Sequence, residues 1–261
     1  MSVLSKRILS AIILFLIFLY SFFHQNYIFF VFFISLFIFL ALYELDKLAI
    51  NNKFEKVIYW LFSIILYFLI FQKYEPTIYI IYFCLFFWLF ISPIALYKKQ
   101  IFFDSIKFIV YPLLIMGLFF SVLNLFMNNK SLLLLSFFII WLSDISAYFF
   151  GKKFGKKKLA PNISPGKTLE GVYGAFLANF LCIIFLSILN PNNLYNYMLI
   201  MIIVVPLSIL GDLFESLIKR LANKKDSGFF LPGHGGVMDR IDSLSAALPV
   251  ITFLSIQGLT I

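Results

Sequence analysis

Apolar runs separated by short polar breaks make up most of this chain. Most of them reach the roughly 20 residues that an α-helix needs to cross the hydrocarbon core of a bilayer, and the third run is the shortest. The pattern predicts an all-α, polytopic integral membrane protein with about nine transmembrane helices. They lie at residues 8–23, 27–43, 57–71, 77–97, 108–127, 131–150, 171–190, 197–218 and 243–259.

The distribution of positive charge predicts the orientation. If the N-terminus is cytoplasmic and the helices alternate, each of the 21 Lys and Arg residues except Lys73 and Lys130 falls in a cytoplasmic segment. Positive residues are favoured on that side of the membrane. The run after Lys6 and Arg7 resembles a signal peptide, but no small-residue cleavage site follows it. We therefore predict a retained first helix.

Composition supports the membrane assignment. The chain is 62% hydrophobic and 13% charged, whereas soluble domains have about 45–50% apolar and about 25% charged residues. A net charge of +9 would suggest nucleic-acid binding in a soluble protein, but here membrane orientation explains it. The expected partner is the lipid bilayer, with no nucleic acid. The oligomeric state stays open, with a homodimer as one option.

Acidic residues are concentrated in the second half of the chain, where seven of the 12 Asp and Glu lie between Asp144 and Asp242. We divide the chain into N-terminal transmembrane helices (1–130) and a C-terminal transmembrane catalytic region (131–261), within one membrane domain. The catalytic region has cytoplasmic loops at 151–170 and 219–242. The residues to which no role is assigned are His24, Glu44, Asp46, Glu55, Glu75 and Asp104.

A hydrophobic helix continues into a polar end between Gly211 and Arg220. Helical spacing puts Asp212, Ser216 and Lys219 on one face. Glu215 is adjacent to them. It either joins this group or forms an i,i+4 salt bridge with Lys219 on a solvated helix end.

A glycine-rich loop and two further acids follow. Pro and closely spaced glycines exclude a regular helix before Gly236, and such glycines let backbone N–H groups approach phosphate oxygens, although alone they indicate only a turn. Asp239 and Asp242, three residues apart, begin the final helix. Together with Asp212 they could hold Mg²⁺, which prefers oxygen ligands. Asp242 could instead only stabilise the helix dipole.

Arginine usage points to the same segment. The chain has only three arginines among its 21 basic residues, and two of them are Arg220 and Arg240. A guanidinium group contacts phosphate or carboxylate through two parallel hydrogen bonds, which lysine cannot do. This usage favours a phosphate-binding site.

A second polar segment, at 151–170, contains a lysine cluster that suits anchoring to anionic headgroups. It is not a P-loop, because Pro161 occupies the position of the first glycine and no β-strand precedes it. We expect Ser164, Lys167 and Thr168 to face a phosphate. Just upstream, Asp144 lies in an apolar helix, where a charge is costly unless it is paired or bound to a cation.

The segment from Ser216 to Asp242 resembles the signature of the phosphatidate cytidylyltransferase family, also called CDP-diacylglycerol synthases. Its 27 residues read S-L-I-K-R, four residues, K-D-S-G, two residues, L-P-G-H-G-G-V, one residue, D-R-I-D. The segment from Ser164 to Gly171 is similar to the family's S-P-x-K-T-x-E-G element. The resemblance covers residues 141–243, and the first 130 residues match only as a series of hydrophobic helices.

The resemblance implies an enzyme that makes CDP-diacylglycerol and pyrophosphate from CTP and phosphatidate, for phospholipid biosynthesis. It implies Mg²⁺, with a second cation left open, and a bacterial inner (plasma) membrane location with the site facing the cytoplasm. It also implies a metal centre at Asp212 and Asp239, with Ser216 and Lys219 associated with it.

Together, the residues and the resemblance predict the following site. The catalytic residues are Asp212, Lys219 and Asp239. The metal ligands are Asp212 and Asp239, with Asp144 and Asp242 as weaker candidates. The substrate-binding residues are Ser216, Arg220, Lys225, His234, Arg240, Lys167 and Ser164. His234 contacts a phosphate or only packs within its loop.

Two rival functions remain at this point. A membrane lipid kinase that uses CTP would release CDP instead of pyrophosphate. A transporter would place its charges near the bilayer midplane on broken helices, a placement that only Asp144 approaches.

Overall fold

The computed structural model describes residues 16–23, 27–72, 77–228, 230 and 235–261, and His234 lies outside these ranges. Long helices dominate the described chain, and each predicted apolar run from the second onward overlaps one of them. They are α1 (16–23), α2 (Tyr27–Ala49), α3 (Lys53–Phe71), α4 (Ile78–Lys98), α5 (Lys107–Asn128), α6 (Lys130–Phe154), α7 (Leu169–Leu189), α8 (Leu194–Leu221) and α9 (Met238–Ile256).

Seven helices in the described part of the chain, α2 to α8, are long and apolar enough to cross a membrane. This confirms the all-α, polytopic membrane class. Helix α1 is described only over 16–23, and α9 begins with the charged residues Asp239, Arg240 and Asp242. The count of nine spans and the cytoplasmic N-terminus therefore stay predictions.

The helices extend further than their apolar runs at the ends that carry charge. Helix α2 continues to Ala49, six residues beyond the predicted limit at 43, and α8 continues to Leu221. A helix satisfies its backbone hydrogen bonds internally, so it has no reason to end where the apolar residues do. Glu44 and Lys219, which lie just beyond the predicted limits, are therefore part of helices rather than loops.

Helix α5 lies at the centre of the bundle. It is the most buried of the seven candidate spans, and it packs against α2, α3, α4 and α9. Aromatic rings make several of these contacts, since Phe126 stacks on Phe30 at 3.8 Å and Phe119 on Tyr67 at 5.3 Å between ring centroids. Close packing of this kind, rather than exclusion of water, drives helix association in lipid.

The last four helices form two closely packed pairs, α6 with α7 and α8 with α9. Glycine makes both contacts possible. A Cβ on Gly174 of α7 would overlap the ring of Phe150 on α6, and one on Gly211 of α8 would overlap the carbonyl oxygen of Asp242 on α9. Small residues allow such close approach of helix backbones in membranes.

A β-hairpin connects α6 to α7, where the sequence predicts only a polar loop over 151–170. Strand β1 (Lys158–Ala160) pairs antiparallel with β2 (Ser164–Thr168). The hairpin joins directly to α7, because the Thr168 hydroxyl accepts a hydrogen bond from Gly171 N at 3.1 Å and caps the helix. Helix α6 covers the beginning of the predicted loop, ending at Phe154.

Candidate active site

The close contact of α8 with α9 at Gly211 brings Asp212 near Asp242 of α9. The Ser216 hydroxyl donates to Asp212 Oδ1 at 3.4 Å. These two side chains therefore share a face of α8, as helical spacing predicts, and both are at least half-buried.

Lys219 pairs with two carboxylates from different helices. Its ammonium group contacts Glu215 one turn earlier and donates to Asp239 Oδ1 of α9 at 2.5 Å. Lys219 is 8% exposed and Glu215 is 1% exposed. The i,i+4 salt bridge considered from the sequence is present. It is buried, however, so the alternative of a solvated helix end is wrong.

Asp239 is held by four donors at the start of α9. Besides Lys219, its carboxylate accepts hydrogen bonds from Ser227 N at 3.1 Å, Ser227 Oγ at 3.0 Å and Gly236 N at 2.9 Å. Burial opposes ionisation of this group, but the lysine and the two amides outweigh burial and lower the pKa of Asp239 below its usual value. These donors hold the Asp239 carboxylate in one position and favour its ionised form.

The β-hairpin forms one wall of the site. Lys167 of β2 makes an ion pair with Asp212 Oδ2 at 2.5 Å. Arg220 donates from Nε to the carbonyl oxygen of Ile163, in the hairpin turn, at 3.1 Å and from Nη1 to Lys224 O at 3.3 Å. Arg220 thus connects the hairpin turn to the end of α8. Its predicted contact with phosphate would come in addition to these hydrogen bonds.

The remaining acids lie near Asp212. The charge of Asp144, on α6, interacts with those of Asp212, Lys167 and Arg240. Asp242 accepts a hydrogen bond from Ser243 N at 2.7 Å. Burial and then the charge of Asp212 raise the pKa of Asp242 well above its usual value. Carboxyl groups that lie this close do not all ionise together, because their negative charges repel each other, unless a bound cation neutralises them.

The other predicted substrate-binding residues are Ser164, Lys225, Arg240 and His234. Ser164 begins β2 opposite Ala160, while Lys225 and Arg240 are exposed. His234 cannot be placed relative to them, since it is outside the described residues.

Glu44 is the residue that the sequence reasoning missed. Although it belongs to α2, it is 2% exposed and accepts hydrogen bonds from Ser227 Oγ, Val237 N and Met238 N. The predicted span ended at residue 43, which put Glu44 among the loop or interface residues to which no role was assigned. The continued apolar pattern through Leu45 and Leu48, both buried, is the signal that extends the helix and turns Glu44 inward.

In the described ranges, no three His, Cys, Asp or Glu side chains form a group that could hold a metal ion by themselves. The oxygen donors nevertheless fit Mg²⁺. This ion usually takes only one or two protein carboxylates and completes its shell with water and substrate phosphates.

Comparison with known proteins places the chain in a family. The family model described as "Cytidylyltransferase family" matches residues 5–256. The chain belongs to the cytidylyltransferase family. This agrees with the resemblance noted in the segment from Ser216 to Asp242, and it extends the similarity over the N-terminal helices.

Several proteins named phosphatidate cytidylyltransferase are similar to this chain. One from Haemophilus influenzae is 45% identical over 128 residues, or 47% of this chain and 44% of the relative. One from Pseudomonas aeruginosa is 48% identical over 119 residues, or 44% of each. One from Bacillus subtilis is 39% identical over 168 residues, or 61% of this chain and 62% of the relative. The chain thus spans about half the length of the first two relatives.

Proposed function

We propose that the protein is a phosphatidate cytidylyltransferase that converts CTP and phosphatidate to CDP-diacylglycerol and pyrophosphate. One observation carries the proposal. Carboxylates and ammonium groups from α6, β2, α8 and α9 converge at one end of a bundle of membrane helices. A site for two anionic phosphate substrates, one of them a lipid, needs both kinds of group at such a place.

In the proposed reaction, a phosphate oxygen of phosphatidate attacks the α-phosphorus of CTP. A new P–O bond forms, the bond from the α-phosphorus to the bridging oxygen of the β-phosphate breaks, and pyrophosphate leaves. The protein need not supply a nucleophile, because catalysis of such transfers consists mainly of positioning and charge neutralisation.

The lysines and carboxylates have separate roles in this proposal. Asp212 and Asp239 would hold Mg²⁺, with Asp144 and Asp242 nearby, and the bound ion would neutralise charge on the phosphates. Lys167 and Lys219 lie against the two main ligands at 2.5 Å. They would fix those carboxylates and, with the exposed Arg240, reduce the repulsion between two polyanions.

The membrane setting suits the substrates. CTP is water-soluble, whereas phosphatidate presents its headgroup at the interface, and the helix ends that carry the site can meet both. We propose that these ends lie on the cytoplasmic side of the bacterial inner membrane, an orientation that the positive-inside distribution supports. A homodimer is not part of the proposal.

The test is an assay of purified protein in detergent micelles with phosphatidate, Mg²⁺ and CTP labelled on its α-phosphate. Label should enter a lipid, with pyrophosphate released. Labelled CDP with a newly phosphorylated lipid would instead indicate the CTP-dependent kinase, and no lipid product would refute the proposal.

Two variants test the assigned carboxylates, Asp212→Asn and Asp239→Asn. Each should reduce turnover roughly 100-fold or more while the protein still elutes as a single species. Asp104→Asn is the matched control, since the Asp104 side chain is 71% exposed and forms an ion pair with Lys107. Full Mg²⁺-dependent turnover in either site variant would contradict the metal assignment.

A further inference from the structure

Glu44 joins two separate parts of the polar loop that precedes α9. Its Oε2 accepts from Ser227 Oγ at 3.0 Å and from Met238 N at 2.8 Å, and its Oε1 accepts from Val237 N at 3.0 Å. The loop therefore closes on a carboxylate that is 183 residues away in sequence from Ser227.

The donors are groups that need a partner. Val237 is the N-cap position of α9 and Met238 its first residue. The first amides of a helix have no acceptor within the helix itself. Both residues are buried, as is Ser227. A buried amide without an acceptor is costly, and a carboxylate at a helix N-terminus is also favoured by the helix dipole.

The loop is shaped to fit this carboxylate. A Cβ on Gly228 would overlap Glu44 Oε1, and a Cβ on Gly236 would overlap both Glu44 Oε2 and the Ser227 hydroxyl. Only glycine leaves room for the carboxylate at these two positions.

The contacts lead directly to Asp239. The Ser227 hydroxyl lies 3.0 Å from Glu44 Oε2 and 3.0 Å from Asp239 Oδ2, so its single proton is shared between the two carboxylates. Gly236 N donates to the same Asp239 oxygen at 2.9 Å. Glu44 thus contacts each end of the loop segment that supplies the amide and hydroxyl donors of Asp239.

We infer that Glu44 is a positioning residue, which clasps the loop to the N-terminus of α9 and so fixes the Asp239 carboxylate for cytidylyl transfer. Its catalytic consequence rests on the proposed function, whereas the clasp itself does not. The hydrogen bonds of Glu44 run to Ser227 Oγ, Val237 N and Met238 N, so it acts on Asp239 through Ser227 and the first turn of α9.

The test compares Glu44→Gln with Asp46→Asn. Asp46 is a suitable control because it lies two residues away on α2 and is 6% exposed, but its carboxylate pairs with Lys56 of α3 at 3.2 Å. Glutamine offers one acceptor oxygen and turns an N–H₂ group toward donors. Glu44→Gln should therefore weaken the hydrogen bonds to Ser227, Val237 and Met238. Asp46→Asn should leave them intact.

Hydrogen exchange measured by mass spectrometry reports the clasp without any substrate. Amides in peptides covering residues 235–242 should exchange at least about ten times faster in Glu44→Gln than in wild type. Their exchange rate in Asp46→Asn should equal that of wild type. Unchanged exchange in Glu44→Gln would overturn the inference whatever the enzyme does.

Kinetics report the positioning role. The kcat for CDP-diacylglycerol formation should fall about 10- to 100-fold in Glu44→Gln, with a KM for CTP within about threefold of wild type. Both constants should be unchanged in Asp46→Asn. Faster exchange with unchanged kcat would refute positioning. A wild-type protein without cytidylyl transfer would refute the proposed function and with it the catalytic role, while the exchange result would still decide the clasp.

Ser227→Ala provides a second route if Glu44→Gln fails to fold. It removes one of the three donors and should give the same two effects at smaller size. When both single variants fold, their combination should cost less than the product of the separate losses, because both act through one contact. Independent, multiplying losses would contradict a shared path to Asp239.

Discussion

Replacing Lys219 with methionine isolates the ammonium group that joins α8 to α9. The side chains of Lys219, Glu215 and Asp239 are 10%, 2% and 12% exposed. Methionine keeps an unbranched chain but removes the charge and leaves two buried carboxylates without their cation. Removing one partner of a buried ion pair costs about 3–5 kcal/mol, because the other charge stays desolvated.

That cost corresponds to a fall in the unfolding temperature of roughly 6–20 °C, at about 2–4 °C per kcal/mol for a domain approaching this size. Thermal unfolding in detergent and EDTA measures it. Lys107→Met is the matched control. Lys107 is 14% exposed, close to Lys219, but the Asp104 carboxylate that it leaves unpaired is 71% exposed and stays hydrated, so the loss should be about 1 kcal/mol or less.

A second substitution separates loss of charge compensation from loss of packing. Adding Glu215→Gln to Lys219→Met removes one unpaired carboxylate, so the double variant should recover several degrees. The reasoning is refuted if Lys219→Met unfolds within 2 °C of wild type, or if the double variant is no more stable than the single one.

Two further predictions concern the loop and the hairpin. Gly236→Ala would place a Cβ against the Glu44 carboxylate, and such overpacking should destabilise the protein by about 1–3 kcal/mol. In Gly166→Ala the Cβ meets nothing within 4 Å, so thermal unfolding should separate the two variants clearly. Lys167→Met removes an ion pair with Asp212 whose side chains are 25% and 30% exposed. It should cost about 1 kcal/mol or less in stability yet lower cytidylyl transfer at least tenfold, and a stability loss as large as that of a buried pair would contradict this.

Helices were predictable here because the bilayer imposes one length and one hydrogen-bonding solution on every span. The face that joins Asp212 to Ser216 was predictable for a similar reason, since helical spacing is local. The helix ends were less predictable. Beyond the apolar runs, α2 and α8 continue with charged residues that find partners elsewhere in the bundle, as Glu44 and Lys219 do.

The hairpin was not predictable from its own residues. Its strands cover only Lys158–Ala160 and Ser164–Thr168, with no alternating apolar pattern. Contacts from α8 stabilise it instead, through the guanidinium group of Arg220 on Ile163 O and the Lys167 ion pair with Asp212. A structure that depends on distant partners leaves little trace in a short window of sequence.

The glycines of the loop have a different role from the one that their spacing suggested. Their spacing suggested backbone amides free to approach a phosphate. In the structure, Gly236 N donates to Asp239, and both Gly236 and Gly228 pack against Glu44. These two glycines therefore serve the internal order of the loop. A phosphate contact by the loop would have to come from other groups, such as Lys225, which is exposed.

The clasp also bears on how the two halves of the chain relate. The family signature lies wholly in the region 131–261, which suggests that this region carries the chemistry. Yet the first turn of α9 finds its acceptor in Glu44 of α2, and α9 packs against the central helix α5. A fragment beginning at residue 131 would leave the amides of Val237 and Met238 without this acceptor and would expose the α5-facing side of α9. The boundary at residue 130 follows the motif resemblance alone, whereas the contacts that order the site come from helices on both sides of it.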